Sequence, residues 1–122
     1  MRSKLLKAQQ IQVQLENLHY WDARVLKLES TNFLDDVTLV FEDSEGNVEI
    51  LFSGCSKVLF TTSVEDREKP LREMKLSQIP YFIQDIEISD FAQDDRELLN
   101  CKVIAPPINV EVLCNSITVN RK

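Results

Sequence analysis

The residues best suited to chemistry are a histidine and a nearby carboxylate. His19 and Asp22 stand three positions apart, with Tyr20 and Trp21 between them. A carboxylate can orient a histidine that acts as a base, and the two side chains can begin a metal site. This pair lacks the further ligands that a metal needs, and nothing in the sequence pairs it with a nucleophile. The favoured interpretation is therefore that Asp22 anchors a corner between a helix and a strand while His19 hydrogen-bonds locally.

Three cysteines offer a second kind of chemistry. Cys55 follows Gly54 and would be a nucleophile if it were a thiolate close to His19. Cys101 and Cys114 lie inside apolar strand patterns, where cysteine behaves as a small hydrophobic residue. The number is odd, the spacing is wide and no Cys-x-x-Cys pair occurs, which argues against a disulfide framework or a zinc site. The sequence thus predicts three reduced, structural thiols.

Acidic residues are concentrated between positions 85 and 97. Calcium loops place oxygen ligands at regular intervals and usually need a glycine for the turn, and neither feature occurs here. The acids are therefore either a solvated face or a contact surface for a basic partner. The candidate partner-binding residues are Asp85, Glu87, Asp90, Asp94 and Asp95.

Four aromatic side chains would anchor an interface if they were exposed and would otherwise belong to the core. They are Tyr20, Trp21, Phe33 and Phe91.

Length, charge and composition argue against several classes of protein. The 122 residues suffice for a single domain, 1–122, and carry a formal net charge of −6. The 14 basic residues are scattered among 20 acids, which argues against nucleic acid as a partner. Only Gly46 and Gly54 are glycines, too few for a dinucleotide-binding or phosphate-binding loop. No apolar run approaches the roughly 18–20 residues of a membrane span, and the N-terminus is too polar for a signal peptide. We therefore expect a cytoplasmic protein without a metal or cofactor.

The elements that must position these side chains are mostly strands. Leu5, Ala8, Ile11, Leu15 and Leu18 form the apolar stripe of a helix that ends near Asn17, although Ile11–Leu15 also alternates as a strand would. A turn is expected at residues 42–47, where Gly46 can take a positive φ, and a bulge or turn at residues 53–54. An acidic loop is expected at residues 91–97 and a short helix at residues 71–76. Strands are predicted over residues 23–29, 37–41, 48–52, 57–62, 81–88, 99–104, 108–113 and 114–119.

These elements predict a mainly β (α+β) fold. Short strands with short connections are typical of antiparallel sheets. We expect an antiparallel β-sandwich or a curled sheet of about seven strands, with an N-terminal helix.

Four segments together resemble small bacterial β-rich proteins of the toxin-immunity kind. They are residues 18–25 (Leu-His-Tyr-Trp-Asp-Ala-Arg-Val), 52–58, 81–87 and 102–112. In the first segment Tyr20 and Trp21 separate the His and Asp that stand together in the Leu-His-Asp-Ala form of that group. The resemblance implies a small cytoplasmic protein that blocks a cognate toxin by binding it and has no catalytic residues. An acidic surface would suit a basic toxin, such as a nuclease.

The favoured hypothesis is a non-enzymatic binding protein, an immunity-type inhibitor of a basic protein toxin. One alternative is a small-ligand-binding protein or enzyme with a cleft around His19 and Asp22. Another is a homo-oligomer of unknown role, built by pairing exposed sheet edges.

Overall fold

One helix and one sheet make up the described part of the chain. The computed structural model describes residues 7–43, 45–62, 81–93 and 96–121. The helix is α1 (Lys7–Glu16), and the strands are β1 (Arg24–Thr31), β2 (Asp36–Asp43), β3 (Gly46–Thr62), β4 (Asp85–Gln93), β5 (Arg96–Ala105) and β6 (Ile108–Arg121). All neighbouring strands are antiparallel, in the order β1-β2-β3-β6-β5-β4. The predicted mainly β fold with an N-terminal helix is confirmed, whereas the short helix expected at residues 71–76 lies outside the described residues.

The N-terminal segment is a helix because its apolar stripe follows the helical period. Ala8, Ile11 and Leu15 are buried, while Val13 is about half exposed. A strand would have placed Val13 on the same face as Ile11 and Leu15. The helix packs against β4 and β6 and covers the apolar face of the sheet at that side.

Two pairs of predicted strands are continuous. The segments 48–52 and 57–62 both belong to β3, and a register shift between Cys55 and Lys57 marks a bulge between them. Gly54 lies just before this bulge and has a φ of 67°, a conformation in which an L side chain would be strained. Segments 108–113 and 114–119 likewise form the single strand β6. The described sheet therefore has six strands, and the bulge lies at residues 55–57 rather than at the predicted residues 53–54, which stay in register with β6.

The core lies on one face of this sheet. Alternate residues of the central strands are buried there, in keeping with the two-residue repeat of a strand. The buried hydrophobic residues include Val37, Leu39, Phe41, Val48, Ile50, Phe52, Leu99, Cys101, Val103, Val110, Val112 and Cys114.

The sheet is curled, because residues 81–84 contact strands near both of its edges, β1 on one side and β5 on the other. The Val25 amide donates to the Tyr81 carbonyl at 2.8 Å, and the Ile83 amide donates to the Ala23 carbonyl at 2.8 Å. The next residue, Gln84, donates its amide to the Ile104 carbonyl of β5 at 2.7 Å. The segment before β4 thus lies against the beginning of β1 as well as beside β5. Of the two predicted architectures, the structure has the curled sheet.

Two predicted elements are of a different kind in the structure. The strand expected at residues 81–88 begins only at Asp85, because residues 81–84 form the connecting segment just described. The expected acidic loop at residues 91–97 is instead the end of a hairpin. Phe91 pairs with Leu98, and Gln93 pairs with Arg96. Charged side chains are accommodated at this hairpin end because Asp90, Arg96 and Glu97 are exposed there.

Candidate functional site

The predicted acidic residues fall on the edge strand β4, on two faces. Asp85 and Glu87 alternate with the core residue Ile86, whereas Asp90 lies on the same face as Ile86. Glu87 and Asp90 are exposed. Asp94 and Asp95 lie outside the described residues. The structure therefore places Glu87 and Asp90 at one accessible edge but does not gather the acids onto one face.

Asp85 differs from the other acids because it contacts a buried tyrosine. The Tyr20 hydroxyl lies 3.3 Å from Asp85 Oδ1 and 3.2 Å from the Ile86 carbonyl oxygen. Burial, with a smaller contribution from the Asp85 charge, raises the pKa of Tyr20 above its usual value. Asp85 thus helps to fix the segment that joins α1 to β1 onto the sheet.

A helix side chain covers part of the β4 edge. The Gln12 amide donates from Nε2 to the Ile86 carbonyl at 2.7 Å, and Gln12 Oε1 accepts from the Ile88 amide at 2.8 Å. These are the two bonds that a neighbouring strand would make at this point of an edge. The same edge continues past Gln12 to Asp90, so the accessible acid lies directly beyond this contact.

His19 and Asp22 lie beside each other in a tight corner between α1 and β1. Both are exposed and both have positive φ, 51° and 64°. The His19 amide donates to the Glu16 carbonyl at 3.0 Å, and the Asp22 amide donates to the Ile83 carbonyl at 2.7 Å. Their backbones therefore build the corner and hold it to the segment that curls the sheet.

An open depression surrounds this corner. Its lining includes His19 and Asp22 together with Trp21, Arg24, Glu42, Asp43 and Phe82. The Arg24 guanidinium stacks over the Phe82 ring at 4.7 Å from its centre. Arg121 donates two hydrogen bonds to Asp43, at 3.0 and 2.7 Å, and holds the pKa of that carboxyl at about 2. The charged groups Arg24 and Asp43 of this depression are thus already engaged by the protein itself.

Cys55 and His19 are too far apart to act together. The Cys55 amide donates a hydrogen bond to the Asp35 carbonyl, just before β2 begins. His19 lines the same depression as Asp43, which is the last residue of β2, at the other end of that strand. An extended strand of this length spans roughly 23 Å at about 3.3 Å per residue. Burial, followed by the Asp35 and Asp36 charges, also raises the pKa of Cys55 to about 11. Cys55 is therefore a protonated thiol without a base, which argues against a nucleophilic role.

The other two thiols belong to the core. Cys101 and Cys114 are buried, and burial raises the pKa of both, to about 12 for Cys114.

Within the residues that the structure describes, no group of three or more His, Cys, Asp or Glu side chains could hold a metal ion. The described segments also contain no helix with the length and apolar character to cross a membrane.

The turn between β1 and β2 presents the most exposed aromatic side chain. Phe33 is fully exposed, at 104% of its reference area, and Leu34 beside it is 49% exposed. Asn32, Phe33 and Leu34 have φ values of 54°, 58° and 73°, all in the left-handed region. The sequence predicts Phe33 as an interface anchor if it is exposed, but it does not indicate this turn, because glycine is the usual signal and none occurs at residues 32–34. Of the other aromatic candidates, Tyr20 is buried, whereas Trp21 and Phe91 are 46% and 43% exposed.

Two hairpin ends meet the bulge of β3 at consecutive residues. The Cys55 amide donates to the Asp35 carbonyl of the β1–β2 turn at 2.9 Å. Arg96, at the β4–β5 hairpin end, donates from Nη2 to the Ser56 hydroxyl at 3.0 Å. We call this region the bulge surface and define it by Phe33, Leu34, Ser56, Phe91 and Arg96. It joins an exposed aromatic turn to the hairpin that carries the acidic edge.

The described residues thus combine a curled sheet, protonated thiols and an exposed aromatic turn. A family model described as "Immunity protein PIM7" matches residues 7–121 of this chain. The chain therefore belongs to that immunity protein family, and the toxin-immunity resemblance of its four segments is confirmed.

A solved structure shares the fold. It is the crystal structure of an uncharacterized protein from Neisseria gonorrhoeae, with 18% sequence identity and a TM-score of 0.54. The match covers 84% of this chain and 94% of that chain. At this identity the likeness concerns the fold alone. No curated protein sequence matches the chain.

Proposed function

We propose that this protein neutralises a cognate protein toxin by binding it, with no catalytic step of its own. The observation that carries the proposal is the match of residues 7–121 to an immunity protein family. The protonation of Cys55 and its distance from His19 support a binding role over a nucleophilic one. We place the binding in the cytoplasm, where three free cysteines would stay reduced.

The toxin is proposed to be basic. The chain has a formal net charge of −6, and Glu87 and Asp90 are exposed along the edge strand β4. Opposite charges speed diffusional encounter and orient the two partners before close contacts form. In this account Glu87 and Asp90 steer the toxin towards the β4 edge, and Asp94 and Asp95 belong to the same candidate group. Asp85 contributes less, because its carboxylate faces the Tyr20 hydroxyl.

The toxin can be identified by capture followed by a test of protection. A tagged chain is incubated with lysate of its source organism at low and at about half-molar salt, and the retained proteins are identified by mass spectrometry. Each captured protein is then expressed in a bacterial host with and without this chain. We expect one basic protein that is released by salt, stops growth alone and permits growth together with this chain. If no captured protein is toxic, or if the chain does not restore growth, the proposal is wrong.

The steering surface can be tested with two matched double variants. Glu87→Lys with Asp90→Lys reverses the β4 edge, while Glu42→Lys with Glu45→Lys makes the same charge change beside the β2–β3 turn. We expect the β4 variant to lower the association rate constant by tenfold or more at low salt and to flatten its salt dependence. The control pair should change this rate constant much less. A larger effect of the control pair would indicate that the toxin contacts the depression that Glu42 lines, and not the β4 edge.

A second candidate function is self-association through exposed sheet edges. Both β1 and β4 are edge strands of the described sheet, and Gln12 covers only part of β4. Sedimentation velocity at micromolar concentration distinguishes the two cases, because an inhibitor that uses the β4 edge must leave it accessible. We expect a monomer. A stable dimer that the Asp90→Lys variant dissociates would favour self-association.

A further inference from the structure

We propose that Phe33 is the apolar anchor of the interface and enters a pocket on the toxin. This inference rests on the proposed function and deepens it by naming the contact that holds the complex together. Phe33 lies at the tip of the β1–β2 turn and belongs to the bulge surface. The proposed pocket is apolar and has basic side chains at its rim.

The exposure of Phe33 shows that it does not serve the core. Its side chain is fully exposed, and it is absent from the cluster of buried residues on the inner face of the sheet. A large apolar side chain in this position gains nothing from folding, because its surface stays in water. Aromatic side chains that become buried in an interface are among the residues that contribute most to affinity. Phe33 has the chemistry and the accessibility of such a residue.

The backbone of the turn holds Phe33 away from the sheet. Asn32, Phe33 and Leu34 all have positive φ, which is unfavourable for L residues because Cβ crowds the carbonyl oxygen. The surrounding contacts hold the turn in this shape: Asn32 Nδ2 donates to Asp36 Oδ2 at 2.9 Å, and the Asp35 amide donates to the Asn32 carbonyl at 3.1 Å. Strained backbone persists where the neighbouring structure fixes it, and such sites often bind ligands. A fixed turn also lowers the entropy lost when its side chain enters a pocket.

The charges beside Phe33 indicate the rim of the pocket. Asp35 and Asp36 follow Phe33 within three residues, and their negative charges contribute to the raised pKa of Cys55. Lys57 and Arg96 are the nearby cations of the bulge, and Arg96 is bonded to Ser56. The tip that carries Phe33 is thus acidic, whereas Lys57 belongs to β3 and Arg96 to the end of the other hairpin. Basic groups around the toxin pocket would complement Asp35 and Asp36.

The position of the turn connects the anchor with the steering residues. Asp35 contacts Cys55, and the next residue, Ser56, contacts Arg96 at the end of the hairpin that carries Glu87 and Asp90. A partner that covers the bulge surface therefore lies against the ends of both hairpins. The steering residues and the anchor should therefore affect different rate constants. Glu87 and Asp90 mainly set the association rate constant, and Phe33 mainly sets the dissociation rate constant.

The test measures toxin binding to Phe33→Ala. The probe is the purified toxin that the capture and growth assays identify, and its association and dissociation are followed by surface plasmon resonance. We expect Phe33→Ala to raise the dissociation rate constant at least tenfold and to change the association rate constant less than threefold. Leu59→Ala is the matched control, because Leu59 is 47% exposed on another part of the sheet. This control should bind as the wild type does.

Phe33→Gly separates binding from folding. Glycine adopts the left-handed region without the Cβ clash, so this variant should melt at or above the temperature of Phe33→Ala while losing the same affinity. The inference is overturned if Phe33→Ala dissociates within twofold of the wild type, or if both variants lose their folded structure. Failure of the wild type to bind any toxin would instead refute the proposed function. The two failures are therefore distinguishable.

Discussion

Replacement of Gln12 by methionine should remove the hydrogen bonds that join the helix to the β4 edge. The Gln12 amide makes two partly buried hydrogen bonds, to the Ile86 carbonyl at 2.7 Å and from the Ile88 amide at 2.8 Å. Methionine keeps the length and helix propensity of glutamine but removes both bonds. Each such bond contributes a net 0.5–1.5 kcal/mol, so Gln12→Met should lower the free energy of unfolding by about 1–3 kcal/mol.

Equilibrium denaturation in urea measures this change, and Gln14→Met is the matched control. Gln14 lies on the same helix but is exposed, so its replacement should change the free energy of unfolding by less than about 0.5 kcal/mol. Hydrogen exchange of the Ile88 amide should also become faster in Gln12→Met than in the control. Equal free energies of unfolding for the two variants would mean that water hydrogen-bonds the Ile86 carbonyl and the Ile88 amide as well as Gln12 does. That result would refute our interpretation of Gln12 as a substitute for a neighbouring strand.

Three further changes test other parts of the structure. Gly54→Ala should lower the free energy of unfolding by about 1–2 kcal/mol in urea denaturation, because φ at Gly54 is 67° and a Cβ there would approach the Asn115 amide nitrogen to 2.5 Å. Folding lowers the pKa of Asp43 from 3.8 to about 2, so the stability that its carboxylate contributes is present above pH 3.8 and lost as the pH falls to about 2. Asp43→Asn should therefore show a flatter dependence of unfolding free energy on pH in this range, measured by denaturation at each pH. Cys55, with its pKa raised to about 11, should react with iodoacetamide at pH 8 roughly a hundredfold more slowly in the folded protein than after unfolding, as followed by peptide mass spectrometry.

The sequence predicted the fold class because local periodicity determines it here. The three- and four-residue steps of Ala8, Ile11 and Leu15 identify a helix, and the two-residue alternation of Val37, Leu39 and similar positions identifies strands. The predicted break between the strands at residues 99–104 and 108–113 is also confirmed, since β5 ends at Ala105 and β6 begins at Ile108. These features depend on neighbouring residues alone.

The length of the strands was less predictable because it depends on pairing. Gly54 interrupts an apolar alternation and was compatible with a turn or a bulge. Only the pairing of Cys55 with Cys114, and of the residues on each side with β6, makes β3 continuous. The curling of the sheet likewise depends on contacts of residues 81–84 with both β1 and β5.

The candidate binding surface could not be predicted from the sequence, because it depends on how distant parts of the chain pack together. Sequence indicated that acids are dense near β4 and named Phe33 among the aromatic candidates. It did not indicate that the β1–β2 turn exposes Phe33 or that Gln12 occupies the edge of β4, because both depend on residues distant in the chain. The Gln12 bonds to Ile86 and Ile88 span more than 70 positions, which local patterns do not reveal.

Titration of the identified toxin with this protein tests the central claim most directly. The biochemical activity of the purified toxin is measured in vitro while the purified chain is added in increasing amounts. If the chain neutralises the toxin by binding, activity should fall in proportion to the amount added and vanish near one equivalent, and Phe33→Ala should require more protein at dilute concentration. Activity that persists at a large excess of the wild-type chain would contradict the account.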